Sequence, residues 1–104
     1  MNISMNEPIA NIARRIGKGV NLGELCKGKN MDVSNFRLKD GSTIKLLESP
    51  QEVDCIVMRN GKVLTARGTR VKDQFESDLL ASRIIEQKIA NRLDVIDSSY
   101  GKYE

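Results

Sequence analysis

The chain has 104 residues, with 17 Lys and Arg against 14 Asp and Glu, and therefore a formal net charge of +3. A chain of this length builds one domain around a modest core, and its lack of histidine removes the commonest zinc ligand, the commonest general base and every catalytic triad that contains histidine. With two Phe, two Tyr and no Trp, it also lacks the aromatic platforms on which single-strand binders stack bases. We therefore expect a non-enzymatic protein that holds neither a metal nor a cofactor.

The charge is divided unevenly along the chain. Residues 1–70 carry 12 basic and 7 acidic side chains, whereas residues 71–104 carry 5 and 7. The basic half could meet nucleic acid or an acidic protein. The chain starts without the continuous apolar stretch of a signal peptide, and no segment approaches membrane-spanning length. We therefore expect a cytoplasmic protein in which Cys26 and Cys55 are reduced thiols.

The segment from Asn6 to Gly19 predicts a short helix. Asn6 is a candidate N-cap, Pro8 suits the first turn, and apolar residues follow at helical spacing until the helix ends at Gly17 or Gly19. Residues 1–6 show no pattern, and we expect them to fray.

A second short helix, Leu22–Cys26, is predicted behind a candidate cap at Asn21. Residues 9–37 as a whole also have a weak helix-turn-helix cadence, with 32–36 as a possible recognition helix. Two positions oppose this interpretation: Lys29 stands where packing needs an apolar residue, and Asp40-Gly41 would end the last helix after about two turns.

Two hairpins are predicted between residues 36 and 66. In the first, apolar residues alternate with polar ones from Phe36 to Leu46 around Asp40-Gly41-Ser42, which favours a strand pair over the recognition helix. In the second, apolar runs flank Asn60-Gly61, and both of these residues tolerate the positive φ of a type I′ turn. The polar loop around Pro50 joins the hairpins into a meander.

No glycine or proline interrupts residues 70–99, and we interpret Thr69–Asp97 as one long helix. Asp73 in its first turn suits the positive end of the helix dipole. Apolar residues that fall within about 80° of one line predict the face that packs on the sheet. They are Val71, Phe75, Leu79, Ile85, Ile89, Ala90, Leu93 and Ile96.

Two features depart from a simple core-facing stripe. Ser82 and Glu86 lie at its centre, where a buried polar layer could fix the register of a helix pair; the alternative is that Glu86 faces water. Leu80, Ile84 and Val95 form a second apolar patch on roughly the opposite side, which predicts a second cover, by another copy or a partner. The alternative is scattered exposed apolar residues, which are normal on any surface.

Together these elements predict an α+β fold in a single domain spanning residues 1–104. Short N-terminal helices precede an antiparallel β-meander of about four strands in two hairpins, and the long C-terminal helix packs on the sheet. The polar end, residues 98–104, is expected to fray.

The first functional hypothesis is a protein-interaction module, such as an adaptor, chaperone or inhibitor of another protein, that uses the long helix and the sheet. A homodimer through the 70–97 helix is one form of it. The predicted partner-binding residues are Leu80, Ile84, Glu86 and Val95.

The alternative is a nucleic-acid-binding regulatory protein that contacts phosphates through its basic N-terminal half. Arg37, Lys39 and Lys45 are expected on one face of the first hairpin, where they would attract phosphate or guard a strand edge. The full predicted set is Arg14, Arg15, Lys18, Lys27, Lys29, Arg37, Lys39 and Lys45.

The sequence contains no obvious pair of carboxylates for acid–base catalysis. Glu48, Glu52 and Asp54 surround the loop between the hairpins, and we expect them to be solvated. They are therefore not predicted to form a catalytic site.

Overall fold

The computed structural model describes residues 7–103. In this range the chain forms three α-helices, five strands and one short 3-10 helix. In chain order the elements are α1 (Ile9–Ile16), α2 (Leu22–Cys26), β1 (Met31–Leu38), β2 (Thr43–Glu48), β3 (Glu52–Arg59), β4 (Lys62–Arg70), α3 (Gln74–Lys88), the 3-10 helix (Arg92–Asp94) and β5 (Val95–Tyr103).

The predicted α+β fold is confirmed, with one more strand than expected. The described strands form a single antiparallel sheet in the order β4-β3-β2-β1-β5. β1 to β4 are the predicted meander. The added strand, β5, returns along the outer side of β1, so β4 and β5 are the two edges.

The tight turns follow from local sequence. Asn60 and Gly61 have φ of 52° and 74°, as the predicted two-residue turn requires, and they join β3 to β4. In the first hairpin, Gly41 has φ of 89° and the Leu38 N–H donates to the Ser42 carbonyl oxygen at 2.9 Å. Both hairpins are therefore confirmed.

The two faces of the sheet carry different helices. α1 lies over β3 and β4 on one face, here called the α1 face, and α3 lies over β2 and β3 on the other, the α3 face. The core of the α1 face is Ile9, Ala10, Ala13, Leu22, Cys26, Met31, Val33, Leu47, Ile56 and Ala66. The buried core of the α3 face is Ile44, Leu46, Val53, Cys55 and Ala81. Because both faces of β3 are covered, the residues from 52 to 56 are all buried.

The predicted long helix is too long at both ends. Thr69 and Arg70 belong to β4, and α3 begins after Asp73, whose side chain accepts a hydrogen bond from the Glu76 N–H at 2.9 Å. α3 ends at Lys88. Residues 95–103 are strand β5, so the expectation that residues 98–104 fray is wrong as far as residue 103.

The helix-turn-helix interpretation is also wrong, because residues 32–36 lie in β1 and pair with β2 and β5. The two N-terminal helices are confirmed, and the Asn21 side chain caps the second by accepting from the Glu24 N–H at 3.3 Å. The predicted cap at Asn6 and the predicted fraying of residues 1–6 lie outside the described residues. No helix of the described range is long and apolar enough to cross a membrane.

Candidate functional site

Two carboxyl groups from β3 hold the N-terminus of α1. The Ile9 N–H donates to Glu52 Oε2 at 2.9 Å, and the Ala10 N–H donates to Asp54 Oδ1 at 2.8 Å. Lys29 Nζ donates to Glu52 Oε1 at 2.9 Å. Because the first N–H groups of a helix have no partner inside the helix, these carboxyls satisfy them and also face the positive end of its dipole.

The two carboxyls have opposite ionisation. Burial, together with the hydrogen bond to Glu52 and its negative charge, raises the pKa of Asp54 to about 9. Burial also works to raise the pKa of Glu52, but hydrogen bonds from Asp54, the Ile9 N–H and Lys29 outweigh it and lower that pKa. Asp54 Oδ2 is buried and accepts no hydrogen bond within the described residues, and a buried oxygen without a donor favours the protonated carboxyl. At neutral pH Asp54 is therefore neutral and Glu52 is ionised.

The expectation of solvated carboxylates is wrong for this pair, since Glu52 is 4% exposed and Asp54 is fully buried. Glu48 is half-buried, and burial raises its pKa, with the negative charges of Asp78 and Asp32 adding to the effect. The sequence did contain a signal: Pro8, directly before the first residue of α1, cannot cap the helix by a side chain, so its first N–H groups need acceptors from elsewhere. The geometry gives Glu52 and Asp54 a structural role at the helix–sheet junction.

Both cysteines are free and buried. Burial raises the pKa of Cys26 to about 12, and Asp54 and Glu52, both ionised at the alkaline pH where this thiol titrates, add to the effect. Burial also raises the pKa of Cys55. Because the thiolate is the nucleophilic form, neither thiol is activated for chemistry.

α3 packs on the sheet with nearly the opposite face from the predicted one. Ser77 and Ala81 are buried against the sheet, whereas Phe75 is 77% exposed and Leu79 is 44% exposed. At 100° per residue Glu86 lies on the same outer side as Phe75, and it is exposed. It does not form a buried polar layer within the described chain, and the alternative that it faces water agrees with the structure.

The structure separates the four residues predicted to bind a partner. Leu80 and Ile84 are half-buried and pack on the core of the α3 face. Glu86 lies on the outer side of α3, and Val95 is the half-buried first residue of β5. Their role in partner binding stays a prediction: Leu80 and Ile84 belong to one surface and Val95 to another, and Glu86 lies on neither.

The first surface is a groove of about 550 Å³ between α3 and β4. Leu80 and Ile84 form its apolar wall on the α3 side. All of its charged lining residues are cationic: Arg67 comes from β4, and Arg83 and Lys88 come from α3. None of the three forms an ion pair within the described part of the chain.

The second surface is the outer edge of β5. Among the described strands β5 pairs with β1 alone, so about half of its N–H and C=O groups point away from the sheet. Three large apolar side chains in or beside it are exposed: Leu93 by 76%, Ile96 by 56% and Tyr100 by 75%. An open edge strand of this kind leaves main-chain donors and acceptors free to pair with another chain.

The eight basic residues predicted to contact phosphates lie in separate groups. Lys29 is held at the N-terminal end of α1, whereas Lys18 lies beyond its C-terminal end, bridged to β4. Arg14 donates to the Ala66 carbonyl oxygen at 3.3 Å, and Arg15 forms an ion pair with Glu7. Lys27 follows α2 and Lys39 follows β1, and both are exposed.

Arg37 and Lys45 do lie on the same side of the sheet, the α1 face, as predicted for the first hairpin. They line a shallow depression of about 450 Å³ beyond the end of α1. Lys45 Nζ donates to Asn35 Oδ1 at 2.6 Å, and burial lowers the pKa of this lysine. Arg37 approaches Asp97 at 3.9 Å.

Within residues 7–103 no three His, Cys, Asp or Glu side chains are placed to hold a metal ion together.

Comparison with known proteins adds no assignment to these surfaces. No family model matches the chain, and no curated protein or solved structure is significantly similar to it.

Proposed function

We propose that this chain is a non-enzymatic protein-interaction module that pairs its edge strand β5 with an extended segment of another protein. The observation that carries the proposal is an open nine-residue edge strand that contains exposed Ile96 and Tyr100 and follows exposed Leu93. In such complexes main-chain hydrogen bonds supply affinity, and alternate side chains supply specificity. Natural proteins usually blunt a bare edge with charge, proline or a covering loop. The charges of β5, on Asp97 and Lys102, are paired with Arg37 and Asp32 of β1, so the edge between them, residues 98–101, carries no charge.

The affinity expected from this edge is modest. Each large apolar side chain contributes about 1.5–3 kcal/mol when it becomes fully buried. Association costs about 4–15 kcal/mol, a range that overlaps the roughly 4.5–9 kcal/mol from full burial of the three side chains, so these alone leave little net affinity. The main-chain ladder and the partner's own side chains must supply the rest, so we expect micromolar binding. Val95, predicted from sequence to bind a partner, lies at the start of this strand.

A lysine in place of Tyr100 is expected to weaken partner binding at least tenfold, because a charged side chain on an edge strand opposes pairing. The side chain is 75% exposed, so the fold should tolerate the change. Peptides selected from a random peptide library on the immobilised wild-type protein serve as partners, and fluorescence anisotropy measures their affinity. Phe75→Lys is the matched control, since Phe75 is 77% exposed on the outer side of α3, away from β5.

The selected peptides should bind the Phe75→Lys variant as tightly as wild type and should protect β5 amides from hydrogen exchange. The competing occupant of this edge is a second copy of the chain. Such a homodimer would form through β5, whereas the sequence predicted one through the 70–97 helix. If a second copy binds the edge, light scattering will show a wild-type dimer and a monomeric Tyr100→Lys variant. That result would mean that β5 pairs with another copy of this chain and not with a different protein. Peptides that bind both variants equally, or a library without binders, would contradict the proposal.

A second candidate, nucleic-acid binding through phosphates, draws on Lys45, whose ammonium contacts the neutral Asn35 amide on the same face as Arg37. We expect any duplex binding to fall steeply with salt, and the Arg37→Gln variant to reduce the slope of log K against log[salt] by about one. Arg92→Gln, which removes an exposed charge from the 3-10 helix, is the control. Anisotropy titrations at several salt concentrations measure both, and no binding at low salt removes this candidate.

A further inference from the structure

We propose that the groove between α3 and β4 is a binding site for a small anionic amphiphile, a molecule with an apolar body and at least one negatively charged group. This site is separate from the β5 edge and does not depend on the proposed function. Its volume of about 550 Å³ falls within the roughly 300–1,000 Å³ of small-molecule pockets. The class of ligand follows from the side chains that line it.

The charges of the groove select an anion. Arg67, Arg83 and Lys88 place three positive charges around it, and its lining includes neither Asp nor Glu within the described residues. Like charges gathered without counter-charges repel one another, and an anion between them relieves that repulsion. The attraction is stronger than in bulk water because the groove is partly enclosed by α3 and β4.

The apolar part of the groove selects the body of the ligand. Leu80 and Ile84 are half-buried, with part of their surface facing the groove, and the Cys55 thiol lies at the base. Burial raises the pKa of Cys55, and the positive charge of Lys88, which lines the same groove, opposes this. A ligand that reaches Lys88 therefore passes over apolar side chains.

The neighbouring edge of β4 favours a small molecule over an added strand. The Val63 N–H already donates to the Gly17 carbonyl oxygen at 2.7 Å, and Lys18 bridges to Lys62. Farther along, the Arg14 guanidinium donates to the Ala66 carbonyl oxygen at 3.3 Å. An extended peptide would have to displace these contacts to form a ladder on β4, whereas a small ligand enters the groove without touching them.

The probe is 8-anilinonaphthalene-1-sulfonate, and its neutral counterpart is N-phenyl-1-naphthylamine, which has the same apolar body without the sulfonate. We expect the sulfonate to bind the wild-type protein at least tenfold more tightly than the neutral compound, as measured by fluorescence titration. The Arg67→Gln/Arg83→Gln variant should lose at least tenfold in affinity for the sulfonate and keep its affinity for the neutral compound. Both arginines are exposed, so the fold should persist, and thermal unfolding checks this.

Arg92→Gln is the matched control, because it removes a positive charge from an exposed site outside the groove. It should leave sulfonate binding unchanged, and amide NMR shifts caused by the probe should centre on Arg67, Leu80 and Ile84. Shifts elsewhere, equal binding of the two compounds, or unchanged binding by the double variant would overturn the proposal. If a synthetic acidic peptide displaces the sulfonate at a concentration below that of the sulfonate itself, the groove binds a peptide and the proposal of a small ligand is overturned.

Discussion

Replacing Gly68 by alanine is expected to lower the free energy of unfolding by about 2–4 kcal/mol, because it forces α1 away from the sheet. Gly68 lies in β4 opposite Asp54, directly under the start of α1. A Cβ atom there would lie 2.4 Å from the Pro8 Cβ atom and 2.6 Å from Asp54 Oδ1. Neither atom is the free end of a flexible side chain, so the junction must open. Urea denaturation measures the loss.

Gly101→Ala is the matched control for this prediction. Gly101 also lies in an edge strand, β5, opposite Val33, but a Cβ atom there would meet Val33 Cγ1 at 3.9 Å, an ordinary contact. Both substitutions restrict the unfolded chain equally, so their difference reports the native state. We expect Gly101→Ala to change stability by less than about 0.5 kcal/mol. Equal effects of the two variants would show that α1 does not press on β4 as described.

Short-range signals in the sequence were enough to predict most elements of this fold. The Asn60-Gly61 turn needs two residues that tolerate positive φ, and the Asn21 cap needs one side-chain acceptor before a helix. Asp73 was predicted to lie in the first turn and is instead the N-cap, because the predicted start at Thr69 was five residues too early. Each of these signals acts within a few residues, so it survives whatever the rest of the chain does.

The end of α3 depended on a distant partner that the sequence does not reveal. No glycine or proline near Lys88 indicates that the helix ends there. Residues 95–103 form a strand because they pair with β1, for example at Asn35 and Ser99. Extending the helix through this segment also misplaced its buried face, since most of the predicted stripe lies outside α3. Those outlying members are Val71, Ile89, Ala90, Leu93 and Ile96.

Within α3 itself, small residues decide the packing. Ser77 and Ala81 bring the helix close to the sheet, and Leu80, Ile84 and Ile85 flank the contact. A search for large apolar residues gives Phe75 more weight than alanine and therefore favours the wrong side. This explains why Leu80 and Ile84, predicted to form a patch on the side away from the sheet, pack at the sheet and line a groove beside it.

Replacing Asp54 by asparagine is expected to remove most of the pH dependence of stability between about pH 5 and 9. The pKa of Asp54 is raised from 3.8 to about 9 by burial and by Glu52, so the native state keeps a proton that the unfolded chain releases. The stabilisation from this bound proton is complete below the pKa of Asp54 in the unfolded chain. It is lost as the pH rises toward the pKa of Asp54 in the native state, by at most about 1.4 kcal/mol per pH unit. Glu52, with a lowered pKa, contributes the opposite slope only in the acid range.

An amide reproduces what the protonated carboxyl does at this junction. Its oxygen can accept from the Ala10 N–H, and its NH₂ group can donate to Glu52, but it does not titrate. The variant should therefore be more stable than wild type near pH 8, by urea denaturation at a series of pH values. Asp40→Asn is the control. Asp40 is exposed and hydrogen bonds from Ser42 lower its pKa, so its titration affects stability only below pH 5. This variant should therefore keep the wild-type slope of stability against pH.

A flat wild-type profile from pH 5 to 9 would contradict this account, because it would mean that Asp54 is ionised in the native state. Two buried negative charges would then rely on Lys29 and the N-terminal dipole of α1 for compensation. In that case the amide would remove a charge that the helix end favours, and Asp54→Asn would lose stability at every pH. The sign of the change near pH 8 therefore distinguishes a shared proton from a pair of charges.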